Sequence, residues 1–197
     1  MVKSSAEVAL SEVGARLDSA GVEWAVFAGA AAAAYGSGRL VTDVDILVPA
    51  SAGERLATLF PEGAVWGDDD AGNLGARVPG ITLPGIDILA GLSQRTASLS
   101  YDIDLDEEMI SRRTHHGIAG VSAPVIPPED NILLKAIWRR GPEQGKHDWE
   151  DVQAMLANLP TIDWDYLRWR LDTCCSGPQR GQLLQLLVDE ASSLRRG

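Results

Sequence analysis

The sequence predicts an α+β fold: a small mixed β-sheet core flanked by helices over residues 1–126, followed by an α-helical subdomain over 127–197. Three observations carry this. The runs "DVDILVP" at 43–49 and "GIDILAG" at 85–91 have the length and aliphatic content of buried strands, and turn residues bound them. The first 60 residues alternate such runs with helix-like patterns. Beyond Pro127 and Pro128 the character changes, and four helical patterns follow one another across Gly and Pro turns.

Taken in order, Val8, Leu10, Val13 and Leu17 recur at near-helical spacing, which predicts an amphipathic helix over 5–19 that ends near Gly21. "EWAVFA" at 23–28 is a short strand stopping at Gly29, and the run Ala30 to Ala34 follows with the highest helix propensity available. Tyr35 to Thr42 reads as a loop, carrying Gly36, Ser37, Gly38 and Arg39. Pro49 ends the strand at 43–49, and 51–59 is a short helix with Leu56 and Leu59 inward. From 61 to 80 the chain is turn-rich, with an acidic triplet at Asp68 to Asp70 and an edge strand in "NLGARVPG" at 73–80. After the second acid-bearing strand at 85–91, "DEEMISRR" at 106–113 is a helical turn or two, and 115–126 is a short β excursion. The four later helices fall at 129–140, 146–156, 163–172 and 179–194.

A chain of 197 residues is long enough for one sizeable core, or one domain with a helical appendage. Its net charge of −11 argues against broad binding to nucleic acid or anionic membranes. A local basic patch remains open to Arg112, Arg113, His115, His116, Arg139, Arg140 and Lys146. The only cysteines, Cys174 and Cys175, are adjacent, which provides neither a disulfide framework nor a zinc spacing and fits a reducing cytosol. The longest apolar run, 24–35, is shorter than the roughly 20 residues a bilayer needs. The amino terminus is charged and amphipathic, without the apolar segment of a signal peptide. A cytoplasmic protein with no membrane partner is expected.

Chemistry concentrates in Asp43 and Asp45. Side chains alternate along a strand, so the two carboxylates share a face and repel unless a cation sits between them. Mg²⁺ suits oxygen ligands and shares its shell with phosphates. Asp87 repeats the local pattern Ile-Asp-Ile-Leu-Ala, so a third carboxylate can enter from a neighbouring strand. The bland alternative for Asp-x-Asp is a strand-end acid pair. What precedes it weighs the other way: a strand, the Gly29 turn, a small-residue helix whose N–H groups suit a phosphate, and a loop bearing Ser37 and Arg39.

These residues, "AGAAAAAYGSGRLVTDVDILV", resemble the signature of the polymerase-β-type nucleotidyltransferase superfamily, and within it the AbiEii-type and related toxin-like bacterial nucleotidyltransferases. Gly29 matches the turn glycine, Arg39 the arginine, Asp43 and Asp45 the metal-binding pair, and Asp87 the later third acid. The chain departs from the pattern at Ala30, where relatives carry a second glycine or small polar residue, and at Val41, where many carry a hydroxyl. The resemblance covers 22–90 and extends more weakly to 125–158, where Lys135, Asp148 and Asp151 match a lysine on one helix and two acids on the next. From the residues alone, Lys135 is either a snorkelling side chain or a phosphate contact. Asp148 is either a helix cap or a site residue, and Asp151 lies on a solvated face or in the site.

The resemblance implies a Mg²⁺-dependent (alternatively Mn²⁺-dependent) transfer of a nucleoside monophosphate from an NTP to an acceptor. Asp43, Asp45 and Asp87 would hold metal. Gly29, Ala30, Ser37, Arg39 and Lys135 would contact the nucleotide, and Lys135 and Asp148 would assist catalysis. A toxin-type enzyme acting on RNA or protein, with a cognate antitoxin, is the first expectation. A small-molecule, antibiotic-modifying enzyme is the second, and an inactive nucleotide- or partner-binding member the third.

Overall fold

A computed structural model describes residues 5–40, 42–66, 80–95 and 99–196. Val41, the triplet Asp68 to Asp70, and the edge strand expected at 73–80 except Gly80 lie outside the described residues. Helix α1 (Ser5–Ser19) leads into strand β1 (Ala25–Phe27), helix α2 (Ala28–Ala32) and strand β2 (Val44–Val48). Then come α3 (Gly53–Leu59) and four strands: β3 (Ala64–Val65), β4 (Gly80–Leu83), β5 (Ile86–Ala90) and β6 (Leu92–Arg95). Strand β7 (Ser100–Ile103) and helix α4 (Glu107–Arg112) precede the hairpin of β8 (Thr114–Ile118) and β9 (Val121–Val125). The remainder is α5 (Pro128–Trp138), α6 (Asp148–Asn158), α7 (Trp164–Cys174), a short β10 (Cys175–Ser176) and α8 (Arg180–Leu194).

The main sheet runs in the order β3-β4-β5-β2-β1-β9-β8, and a small second sheet is ordered β10-β7-β6. In the main sheet β2 pairs parallel with β5 and β1 parallel with β9; the other pairs are antiparallel. Alternation divides each strand between two cores. Val26, Ile46, Val48 and Ile88 pack on one face with residues of α1, α2, α3, α6 and α8. Phe27, Leu47 and Leu89 pack on the other, under Leu133 and Leu134 of α5, Leu171 of α7 and Tyr101 of β7. Ile132, Val152 and Leu156 share the first cluster with the strands, so apolar packing runs continuously past residue 126. No helix among the described residues is long and apolar enough to cross a membrane.

Two local features differ from expectation, and a third, the β excursion at 115–126, is present as expected. The stretch after Ala34 is not yet loop: a wider π-type turn carries helix to Ser37, and it ends through Gly36 (φ 100) and Gly38 (φ 68). Buried Tyr35 anchors this extension by donating its hydroxyl to the Ile126 carbonyl at 2.7 Å, a tertiary contact that local composition does not announce. The chain reverses at Ala28 (φ 55) rather than at Gly29, an alanine conformation that costs roughly 1–2 kcal/mol. Asn131 Nδ2, reaching from α5, holds the Ala28 carbonyl at 3.1 Å. Finally, the excursion at 115–126 is structural, because β9 inserts beside β1 and buries Ala123 and Val125.

Helix α5 is buried along most of its length, polar residues included. Its fully buried Asp130 accepts hydrogen bonds from Arg170 Nε and Tyr166 Oη of α7, both at 2.6 Å, and Arg170 also pairs with Asp106 before α4. Removing one partner strands a buried charge. Arg170→Met is expected to lower unfolding free energy by about 3–5 kcal/mol in chemical denaturation, and the double change with Asp130→Leu to recover part of that loss.

Candidate active site

The hydrophobic pattern itself brings the acids together. Val-Asp-Ile-Leu-Val in β2 and Ile-Asp-Ile-Leu-Ala in β5 pair in parallel with every aliphatic opposite an aliphatic, and this register sets Asp45 directly beside Asp87. A slip of one residue in either strand would turn its carboxylate to the opposite face, among Ile46, Val48 and Ile88, so burial of the neighbours fixes the acid pair. Adjacent strands lie about 4.8 Å apart, which is the spacing of the two residues. Asp43, just before β2, lines the same cleft of about 410 Å³. Trp66, Trp138, Arg140 and Lys146 form other parts of its wall, with Phe27 and Leu89 as an apolar floor. That volume is within the range of small-molecule sites.

Burial, reinforced by repulsion from Asp43 and Asp87, pushes the Asp45 carboxyl up to about 7, and Lys146 and Lys135 offset only part of this. Asp87 Oδ1 accepts a 2.6 Å hydrogen bond from Thr82 Oγ1 on β4, and Thr82 Oγ1 lies 2.9 Å from the Trp66 indole nitrogen. Asp43 Oδ1 accepts from Thr42 Oγ1 at 3.1 Å. Among the described residues, no three His, Cys, Asp or Glu side chains converge into a ready cage for an ion. The donor set nonetheless suits Mg²⁺, which takes one or two carboxylates and fills its remaining positions with water and substrate phosphate. Burial and the two neighbouring carboxylates raise Asp45, and a cation among them would favour its ionised form.

Lys135 takes a different position from a snorkelling lysine. Its ammonium is buried and bonded to Asp148 Oδ1 at 3.0 Å and Asp151 Oδ2 at 2.8 Å, both acids coming from the first turn of α6. Asp151 is therefore no part of a solvated face, and it also pairs with Arg39 at 3.3 Å. Asp148 opens α6 rather than capping it, and its other oxygen accepts Arg140 Nε at 2.8 Å and the Arg140 backbone N–H at 3.1 Å. Burial opposes ionisation of Asp148, but Arg140 and Lys135 together outweigh it and hold its carboxyl below the usual value. Asp148 thus aims Arg140 along the cleft wall, where the guanidinium lies 4.2 Å from the Trp138 ring centroid.

Among the described residues lining the cleft, Gly29, Ala30, Ser37 and Arg39 do not appear. Gly29 faces open space, with no atom within 4 Å of an added Cβ, while the Ser37 hydroxyl is buried without a hydrogen-bond partner. Ala30 is buried in the sheet-packed core. The expected basic patch divides. Arg112 pairs with Glu108 and Asp163, and Arg113 with Glu23, and the two histidines line a separate surface groove. Arg140 and Lys146 reach the acids' cleft. From sequence, Trp138 reads as one of four tryptophans of the later helices that suit packing, one of which can line a nucleotide pocket, and Trp66 has no local signal at all.

A group whose folded pKa is raised binds its proton more tightly when folded than when unfolded. Between the ordinary value of 3.8 and about 7, the folded metal-free chain therefore keeps a proton at Asp45 that the unfolded chain has lost. Stability from this group is present at low pH and is lost as pH rises through 7. Thermal melts across that window should show a wild-type decline with rising pH that Asp45→Asn flattens.

No protein-family profile and no curated protein matches the chain by sequence. Solved structures do match by shape. The antibiotic-resistance factor ANT(2'')-Ia superposes with a TM-score of 0.53 at 13% identity, over 95% of this chain and 89% of that one. A nucleotidyltransferase-like antigenic protein of Paracoccidioides brasiliensis gives 0.46 at 17% identity, over 95% and 91%. The lincosamide antibiotic adenylyltransferase LnuA, solved with lincomycin bound, gives 0.45 at 13% identity, over 74% and 93%. The superposition on ANT(2'')-Ia covers the sheet and the carboxy-terminal helices, and the chain shares that factor's fold.

Proposed function

We propose that the chain is a Mg²⁺-dependent nucleotidyltransferase that moves a nucleoside monophosphate from an NTP to a small, cationic acceptor, releasing pyrophosphate. The observation that carries this is the register of Asp45 beside Asp87, with Asp43 on the same cleft. Asp43, Asp45 and Asp87 hold the cation, for which Mn²⁺ can substitute. The bound ion supplies Lewis-acid stabilisation of the phosphoryl oxygens and lowers the pKa of the acceptor hydroxyl.

The chain's own groups position and neutralise. The acceptor hydroxyl, acidified by the ion, gives its proton to solvent. Arg140 and Lys146, on the cleft wall, meet charge that develops on the transferred phosphoryl group and on pyrophosphate. Lys135 acts from behind: it ties Asp148 and Asp151 together, and Asp148 in turn orients Arg140. Gly29 and Ala30 at the start of α2, with Ser37 at the end of the π-type turn and Arg39 just beyond it, form the triphosphate side. The open space above Gly29 leaves room for a phosphate.

Three features support a small acceptor. The cleft is of small-molecule size, its carboxylates attract a cation, and the net charge of −11 repels RNA at a distance. The shape shared with an antibiotic-resistance factor agrees with this. A toxin-type enzyme acting on RNA or protein, countered by an antitoxin, is the second reading; the motif of residues 22–90 supports it.

Each labelled NTP, incubated with the protein and Mg²⁺ against aminoglycosides, lincosamides and total tRNA, tests the proposal. Label transferred to a cationic small molecule supports it; label on tRNA or on protein supports the second reading. Nucleotide binding without transfer would indicate an inactive, nucleotide-binding member. Asp43→Asn and Asp45→Asn should each lower turnover by about 10²-fold or more, as removal of several kcal/mol of transition-state stabilisation demands. Full activity in either variant sinks the mechanism.

A further inference from the structure

The sheet edge beside the acids carries a hydrogen-bond chain whose direction is fixed by chemistry. Thr82 is the exposed residue of β4 and sits directly opposite Asp87 in the β4–β5 register. Its Oγ1 is 2.6 Å from Asp87 Oδ1 and 2.9 Å from Trp66 Nε1. An indole N–H only donates, and a hydroxyl has a single proton. With the indole donating to Thr82 Oγ1, that proton has one place left to go, which is Asp87 Oδ1.

The indole's own position is equally determined. The Trp66 backbone N–H extends the β3–β4 pairing by bonding to the Gly80 carbonyl at 3.0 Å. A Cβ on Gly80 would come within 2.9 Å of Trp66 Cδ2, so glycine at this position is what lets the ring lie against the sheet. Three successive elements of the edge thus deliver one directed bond to the third carboxylate. The same tryptophan forms part of the cleft wall.

We propose that Thr82 and Trp66 are positioning residues for Asp87: they commit Oδ1, hold the plane of the carboxylate, and so make Oδ2 the oxygen offered to a divalent cation in the cleft. This rests on the nucleotidyltransferase reading above and adds to it the groups that orient one of its metal ligands. Partners of this kind around metal ligands are worth 10- to 100-fold in affinity.

The test is Mn²⁺ binding to the full chain by isothermal titration, with no nucleotide or acceptor present, alongside thermal melts. Thr82→Val removes the hydroxyl but keeps the β-branched shape, and should weaken Mn²⁺ binding by about 10-fold or more with the melt little changed. Thr82→Ser restores the hydroxyl and should stay within about threefold of wild type. Trp66→Phe keeps an aromatic wall, frees the hydroxyl to rotate, and should fall between the two. A purely structural role would lower the melting temperature and leave Mn²⁺ affinity where it was. Wild-type binding with unchanged affinity in Thr82→Val overturns the positioning role and leaves the metal site intact. A wild-type chain that binds no Mn²⁺ overturns the metal site and the positioning role together. Should Thr82→Val fail to fold, Trp66→Phe decides: affinity equal to wild type overturns the proposal, and weakened affinity at an unchanged melting temperature upholds it.

Discussion

Two carboxylates set side by side on adjacent parallel strands repel one another. At a separation of about 5 Å and an effective dielectric of about 20, the cost is about 3 kcal/mol when both are ionised. The chain accepts this because the aliphatic neighbours of Asp45 and Asp87 admit one register. Burial, and the nearby Asp43, add to that repulsion. Asp45 holds its proton up to neutral pH, Lys146 and Lys135 partly offset the field, and Thr82 binds one oxygen of Asp87. A cation would relieve the strain more fully than any of these, which makes the site's electrostatic defect the same thing as its capacity to bind.

Helix α5 turns that local arrangement into a global one. Successive polar side chains on it each secure a different part of the molecule. Glu129 accepts the backbone N–H of Asp163, and Asp130 binds α7 through Arg170 and Tyr166. Asn131 holds the left-handed Ala28, and Lys135 gathers the two acids of α6. Four polar groups buried on one helix would be costly if unpaired, and each has found a partner on another element. The helix thus joins α6 and α7 to the wall of the cleft, to which it contributes Trp138.

The paired strands, the helices of the second half and the three aspartates could be read from the sequence because their signals are local. Aliphatic runs of strand length, periodicity near 3.6 and a repeated Ile-Asp-Ile-Leu pattern lie in contiguous residues. The rest depends on partners far along the chain. Nothing near Tyr35 says that its hydroxyl will find the Ile126 carbonyl and stretch the helix toward Ser37. Asp151 looks like a surface residue until Lys135 and Arg39 are placed around it. Arg140 and Lys146 were visible only as members of a basic cluster, and the fold sends Arg112 and Arg113 elsewhere. Trp66 carried no signal, since its importance comes from a glycine fourteen residues later that makes room for it.

The insertion of β9 beside β1 has a consequence for how the protein comes into being. Val26 pairs with Val125, so a strand near the start of the chain keeps an open edge until the hairpin at 114–125 arrives. During synthesis the acid-bearing strands are available long before that edge is closed, and the anchor from Tyr35 to Ile126 comes later still. Non-local closure of this kind slows folding and leaves apolar edges unprotected while it is awaited. A nascent chain stalled before residue 126 would present the unpaired edge of β1, at Val26, to solvent.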